Sequence, residues 1–191
     1  MELHKKDDLD LINRFKDGDI SAFEEVVLKY QDKIYNLCRH MLQNAHDAED
    51  AAQDVFVKAY QNLNRFKPEA SLLTWLYRIA INTCIDYRRK PFFESLFKSS
   101  KEGDEFVVDS PADSPSPERL YESKQISNAI QLALDRLSEK LRTVIVLKEI
   151  EGFSYHEIAE ILDISTGTVK SRISRAREEL KELLKNFREQ K

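Results

Sequence analysis

Between Ile164 and Arg177 the chain carries Lys170, Arg172, Arg175 and Arg177 and no acidic residue. Thr168, Ser171 and Ser174 are interleaved with them. Side chains of these types do non-covalent chemistry. Arg can bond guanine O6 and N7 bidentately, a short hydroxyl can bond either partner on a base edge, and each cation can neutralise a phosphate. Enzyme chemistry finds no support: no nucleophile–base pair, phosphate loop or metal-ligand set stands out along the chain.

The segment holding these residues, "SYHEIAEILDISTGTVKSRISRAREEL" from Ser154 to Leu180, reads as two helices joined by a tight turn. Ser154 and Glu157 have capping-box spacing. Ile158, Ala159, Ile161 and Leu162 supply an inner face, with Ala159 small enough for a close crossing. Asp163 falls at the turn, where it must tolerate a left-handed backbone, and Ser165 or Thr166 can cap the second helix. At about 100° per residue, Val169, Ile173, Ala176 and Leu180 gather on one side of that helix. Lys170, Ser171, Ser174 and Arg175 gather on the other. A helix-turn-helix presents such a face to the DNA major groove. A solvated surface helix is the bland alternative, but the cap, the turn, the small crossing residue and the acid-free face coincide.

A second cationic surface precedes it. "TWLYRIAINTCIDYRRK" predicts a helix ended by Pro91, carrying Trp75, Tyr77, Arg78, Tyr87, Arg88 and Arg89. With the loop "NLNRFKPEAS" it offers cations, aromatic rings and the amides of Asn62, Asn64 and Asn82. Aromatic stacking on an unpaired base is worth about 1–3 kcal/mol, and amides can read its edge. Trp75, Leu76 and Ile79 fit a core, leaving Arg78, Asn82, Arg88 and Arg89 for contact. Upstream, "SAFEEVVLKYQDKIYNLCRHML" repeats apolar residues at helical steps after Ser21 and Glu24, another capping-box pair. "DAEDAAQDVFVKAYQNL" follows, with Ala48, Ala51, Ala52, Val55, Ala59 and Leu63 on one face and acids in its first turns. His46, Asp50 and Asp54 share a face at ligand spacing, but no further ligand converges, so no metal site is expected. A short helix around Leu9, Ile12 and Phe15 comes first.

The net charge of −4 hides a distribution. Residues 1–92 are net −1, residues 93–124 net −4, and residues 125–191 net +1. The central segment holds three of the five prolines and reads as a flexible linker over 93–122. Its Phe106-Val107-Val108 fits packing on a domain or on a partner. "SKQISNAIQLALDRL" and "SEKLRTVIVLKEIEG" follow as two helices, Ser138 capping the second and Gly152 ending it. The expected fold is all-α: two small helical domains, residues 1–92 and 123–191, joined by that linker. Cys38 and Cys84, the only cysteines, read as buried free thiols. No run is long and apolar enough to cross a membrane, and the charged N-terminus lacks a signal-peptide core, so a cytoplasmic protein is expected. A lone helix-turn-helix with four or five phosphate contacts binds DNA weakly, and no dimer seam doubles it; something else must help.

In their order and spacing, "DAEDAAQDVFVKAY", "TWLYRIAINTCIDYRRK" and "LSEKLRTVIVLKEIEGFSYHEIAEILDISTGTVKSRISRARE" resemble the bacterial extracytoplasmic-function (ECF) sigma factors of the sigma-70 family. The resemblance implies an initiation factor, a monomer without cofactor, that directs core RNA polymerase to promoters. It places Asp50, Gln53, Asp54, Val57 and Tyr60 against the β′ clamp helices. It places Asn64, Arg65, Phe66, Lys67, Ser71, Arg78, Asn82, Arg88 and Arg89 on the −10 element, where a non-template base is flipped out. It places Lys148, Ser154, Thr168, Lys170, Ser171, Arg172, Ser174 and Arg175 on the −35 element, with the second domain near the β flap. The linker would thread toward the polymerase active site, and an anti-sigma factor would regulate the chain. "KPEASLLTW" departs from relatives that often have Gly and a small or aromatic residue before Thr-Trp. A freestanding dimeric helix-turn-helix regulator and a non-DNA helical adaptor are the rival readings.

Overall fold

A computed structural model describes residues 2–42, 44–68, 70–95 and 117–189. Among them every regular element is helical: α1 (Glu2–Lys16), α2 (Ser21–Met41), α3 (Ala45–Asn62), a 3₁₀ turn at Leu63–Arg65, α4 (Leu72–Ser95), α5 (Pro117–Arg136), α6 (Glu139–Ile145), a π-helical turn at Val146–Ile150, α7 (Tyr155–Leu162) and α8 (Thr166–Glu189). Helices α1–α4 pack together, and α5–α8 form a second group that rests on α2 and α4.

The first group is built on complementary periodicity. Val26, Tyr30, Ile34, Leu37 and Met41 of α2 are buried, as are Ala48, Ala51, Ala52, Val55 and Ala59 of α3. The alanine stripe lets α3 approach its neighbours closely, and Leu72, Leu76, Ala80 and Ile81 of α4 complete the core. α1 is tied on by Asp8, a buried carboxylate that accepts bonds from Tyr30 Oη at 2.7 Å and Lys29 Nζ at 2.8 Å. Burying that charge is tolerable because it is paired and hydrogen-bonded.

Local signals were only partly realised. The box expected of Ser21 and Glu24 does not form. Asp19 instead accepts from the Ser21 backbone N–H at 3.0 Å and its hydroxyl at 2.5 Å, so the nearer acceptor wins. Asn44 caps α3, its side chain accepting from Asp47 N at 2.6 Å. Ser138 stands before α6 without a side-chain cap bond; only its carbonyl takes part, receiving Leu141 N and Arg142 N. α4 does not stop at Pro91 but continues to Ser95: a proline near a helix end forfeits a single ladder bond. α5 begins at Pro117, where the fixed proline φ suits a first helical turn. The segment expected as linker, 93–122, is therefore helical at both ends. Its centre, with Phe106–Val108, lies outside the described residues.

Candidate nucleic-acid and protein interfaces

The turn between α7 and α8 has the anticipated geometry. Ser154 Oγ accepts from Glu157 N at 3.2 Å while Glu157 Oε2 accepts from Ser154 N at 2.8 Å, a complete capping box. Asp163 adopts φ 52° and ψ 52°, the left-handed conformation required of it. Ser165, rather than Thr166, caps α8: its Oγ accepts from Thr168 N at 3.1 Å. Val169, Ile173 and Ala176 are buried against α7 and α6, which turns the opposite side of α8 outward.

On that side Lys170, Ser171, Ser174 and Arg175 are exposed, and no ion pair is formed by Lys170 or Arg175 among the described residues. Their charges are available to a polyanion. Arg177 is not equivalent to them, because Glu149 Oε1 holds its guanidinium at 2.6 Å and pushes its pKa further up. Thr168 and Ser154 spend their hydroxyls locally, Thr168 Oγ1 lying 2.9 Å from Ser165 Oγ. Ser171 Oγ donates to Thr168 O at 3.0 Å. Arg172 is half-buried and faces α4 across a cleft. Lys148 sits in the π-helical turn, its Nζ donating to Phe153 O at 3.1 Å and lying 5.3 Å from the Tyr155 ring centroid. That wide turn was not foreseen; Glu151 N bonds back five residues to Val146 O at 3.1 Å.

The loop and helix around Asn82 are sorted by burial. Asn64, Arg65 and Lys67 are exposed. Phe66, expected to contact a base, is instead 5% exposed, its ring 5.4 Å from that of Trp75. An aromatic residue in a short loop gains more from burial than from water, and this one closes the core beneath the loop. Ser71 caps α4 by accepting from Thr74 N at 3.0 Å. Beside them Lys58, Asn62, Arg65, Trp75, Ile79 and Asn82 line an open hollow of about 380 Å³. Its mixture of an aromatic wall, amides and cations suits one unstacked base.

Arg78, Arg88 and Arg89 look elsewhere. Arg78 Nη2 donates to Glu160 O at 2.5 Å, Arg88 Nη1 donates to Met41 O at 3.2 Å and lies 3.8 Å from Asp135, and Arg89 lies 3.9 Å from Glu139. All three bridge the two helical groups except for the Arg88–Met41 bond, which is internal to the first.

On α3, Gln53, Val57 and Tyr60 are exposed and Asp50 and Asp54 half-buried, forming one stripe. Val57 and Tyr60 keep 53% and 43% of their surface, high for apolar and aromatic residues. Tyr60 stands edge-on to Phe15 and Phe23, with centroids 5.3 and 5.1 Å away. Asp54 Oδ2 accepts from Tyr87 Oη at 2.8 Å; burial and that carboxylate push the tyrosine up to about 12. His46 Nδ1 lies 3.1 Å from Asp50, but no three His, Cys, Asp or Glu side chains gather as a metal set among the described residues. An apolar stripe flanked by fixed carboxylates suits a basic protein surface.

Three features were invisible in the sequence. Arg142 is fully buried. Its guanidinium donates to Leu134 O at 2.7 Å and Asp135 O at 2.6 Å, closing the C-terminal carbonyls of α5, and to Met41 O at 3.2 Å at the end of α2. Tyr77 Oη bonds Glu151 Oε2 at 2.5 Å, and burial raises that carboxyl's pKa. Cys84 Sγ lies 3.6 Å from Cys38 Sγ, both thiols free and buried, and the neighbouring thiol and burial push the Cys84 pKa far up. Each is a contact across long chain separations, which spacing cannot reveal.

Comparison with known proteins converges on one group. Residues 26–91 match the family model for sigma-70 region 2 and residues 127–180 that for sigma-70 region 4. The ECF RNA polymerase sigma factor SigW of Bacillus subtilis is 44% identical over 179 residues, 92% of this chain and 96% of its own length. RNA polymerase sigma-H factor of Pseudomonas aeruginosa is 39% identical, with 95% and 96% covered. Among solved structures, the sigma factor RpoE in complex with the anti-sigma factor NepR from Bartonella quintana superposes with a TM-score of 0.70 at 28% identity, covering 87% of this chain and 98% of its own. CnrH in complex with the cytosolic domain of CnrY gives 0.67 at 29%, covering 94% and 98%.

Proposed function

Because the chain belongs to the extracytoplasmic-function group of the sigma-70 family and is an RNA polymerase sigma factor, we propose that its two helical groups divide the work of starting transcription. Residues 1–92 form the domain that binds core polymerase and opens the −10 element, and residues 123–191 the domain that grips the −35 element. The observation that carries this division is the separation of surfaces by chemistry. The α3 stripe is acidic and apolar and suits protein; the outer side of α8 is cationic and hydroxylated and suits DNA.

The stripe of Asp50, Gln53, Asp54, Val57 and Tyr60 docks on the β′ clamp helices, with Asp54 oriented by Tyr87. Once duplex is opened, Asn82 meets a flipped base in the hollow beside Trp75, while Asn64, Arg65 and Lys67 hold the displaced strand. Arg78, Arg88 and Arg89 add phosphate contacts. Lys170, Ser171, Ser174 and Arg175 read the −35 duplex, flanked by Arg172 and Lys148. The chain needs no catalytic group, because polymerase makes the RNA. It works in the cytoplasm, where its DNA is; no helix of the described residues is long and apolar enough to cross a membrane. The superposed sigma factor RpoE holds the anti-sigma factor NepR, which supports such a partner here.

Transcription with purified core polymerase on supercoiled genomic templates tests the proposal. New start sites that depend on this protein are expected. Tight dimeric binding to duplex without polymerase, and no new start, would instead favour a freestanding regulator.

A further inference from the structure

Cys38 and Cys84 have no part in the roles assigned to polymerase or promoter, yet they are the chain's only cysteines and they meet. Cys38 lies on α2 and Cys84 on α4, 46 positions apart, both free and fully buried. Their sulfurs are 3.6 Å apart, Cys84 Sγ donating to Cys38 Sγ. A disulfide needs about 2.05 Å, so roughly 1.5 Å separates the pair from a bond. For packing alone a methyl group could replace either sulfur. What two thiols in contact add is the capacity to be oxidised together.

The pair lies near a helix end. Cys38 belongs to the last turn of α2, which closes at Met41. A terminal turn opens at much lower free energy than a whole core, and opening admits a small neutral oxidant. The neighbouring thiol and burial make Cys84 hold its proton, while Arg88, one turn further along α4, favours negative charge on that sulfur. Attack therefore starts from Cys38, the acceptor of the pair.

We propose that Cys38 and Cys84 form an oxidation site for hydroperoxides, whose disulfide joins α2 to α4 and weakens strand opening at the −10 element. The Cys38 thiolate attacks a peroxide oxygen. The O–O bond breaks, water or an alcohol leaves, and Cys38 becomes a sulfenic acid. Cys84 Sγ then attacks Cys38 Sγ; the S–O bond breaks and water leaves, carrying the Cys84 proton. Two thiols lose two electrons and one peroxide gains them. In a reducing compartment such a bond is transient and reports oxidant. Closing the gap draws α4 toward α2. Asn82, two residues before Cys84, is exposed on the same helix and moves with it, whereas a binding site tolerates only about 0.5 Å of misplacement. The loss of opening rests on the role given to Asn82 under Proposed function; the disulfide does not.

Hydrogen peroxide is applied to the full chain, followed by alkylation, intact mass and melting. Loss of two thiols and two hydrogens within one chain is expected. The melting temperature should rise by about 5 °C or more, as a long loop is closed, and fall back with dithiothreitol. With core polymerase, strand opening by the oxidised chain should fall about threefold or more and recover with dithiothreitol. Cys38→Ala, and separately Cys84→Ala, should show none of these changes. Unreacted thiols, sulfinic acid on one cysteine alone, or a link between two chains overturns the site. Undiminished opening by a disulfide-bonded chain overturns its effect on the promoter. No opening by the reduced chain counts instead against the −10 role, and the mass and melting shift still decide the site.

Discussion

The hydroxyl of Tyr87 on α4 is fixed 2.8 Å from Asp54 Oδ2 on α3, so the helix assigned to DNA orients a carboxylate assigned to polymerase. Tyr87→Phe keeps the ring and frees the carboxylate to rotate. Core-polymerase affinity, measured by fluorescence anisotropy, should fall about two- to tenfold, with thermal stability nearly unchanged. An unaltered affinity would show that Asp54 needs no such orientation.

The two faces should fail separately. Asp54→Arg places a cation where a basic surface is expected and should abolish core binding, while binding of the isolated chain to duplex DNA persists. Arg175→Ala should leave core binding intact and lower transcription about tenfold or more, as the loss of one base contact does. Loss of both activities in both variants would contradict the division of roles.

Arg142 satisfies carbonyls at the ends of two helices, and its removal would strand them. Arg142→Leu should destabilise the fold by about 3–5 kcal/mol. Arg142→Lys should rescue little, because an ammonium cannot span carbonyls that a planar fork reaches together. Thermal denaturation of the three proteins checks both statements.

How much of this could be read from sequence followed range. The capping box at Ser154, the left-handed Asp163 and the buried stripe of α8 involve residues within a few positions of one another, and all were legible. Phe66 was not, since an aromatic residue in a cationic loop has the same type whether it meets a base or a core. Ser21 failed because Asp19, two residues earlier, was the better-placed acceptor. Arg142 and Met41 are 101 positions apart, and no periodicity links them.

Asp163 gives a stability test of the turn. Asp163→Gly should raise stability by up to about 1 kcal/mol, because the left-handed conformation costs a side-chain-bearing residue about 1–2 kcal/mol. Asp163→Val should lower it by a similar amount. Promoter selectivity should not change in Asp163→Gly, since the residue sets the turn and not the reading face.

The central claim is that promoter reading by this chain depends on an enzyme it does not contain. Strand opening at a mapped start site, followed with a fluorescent base analogue in the −10 element, tests it most directly. Fluorescence should rise only when this protein and core polymerase are both present. A rise with the protein alone, or none with the two together, would contradict the account.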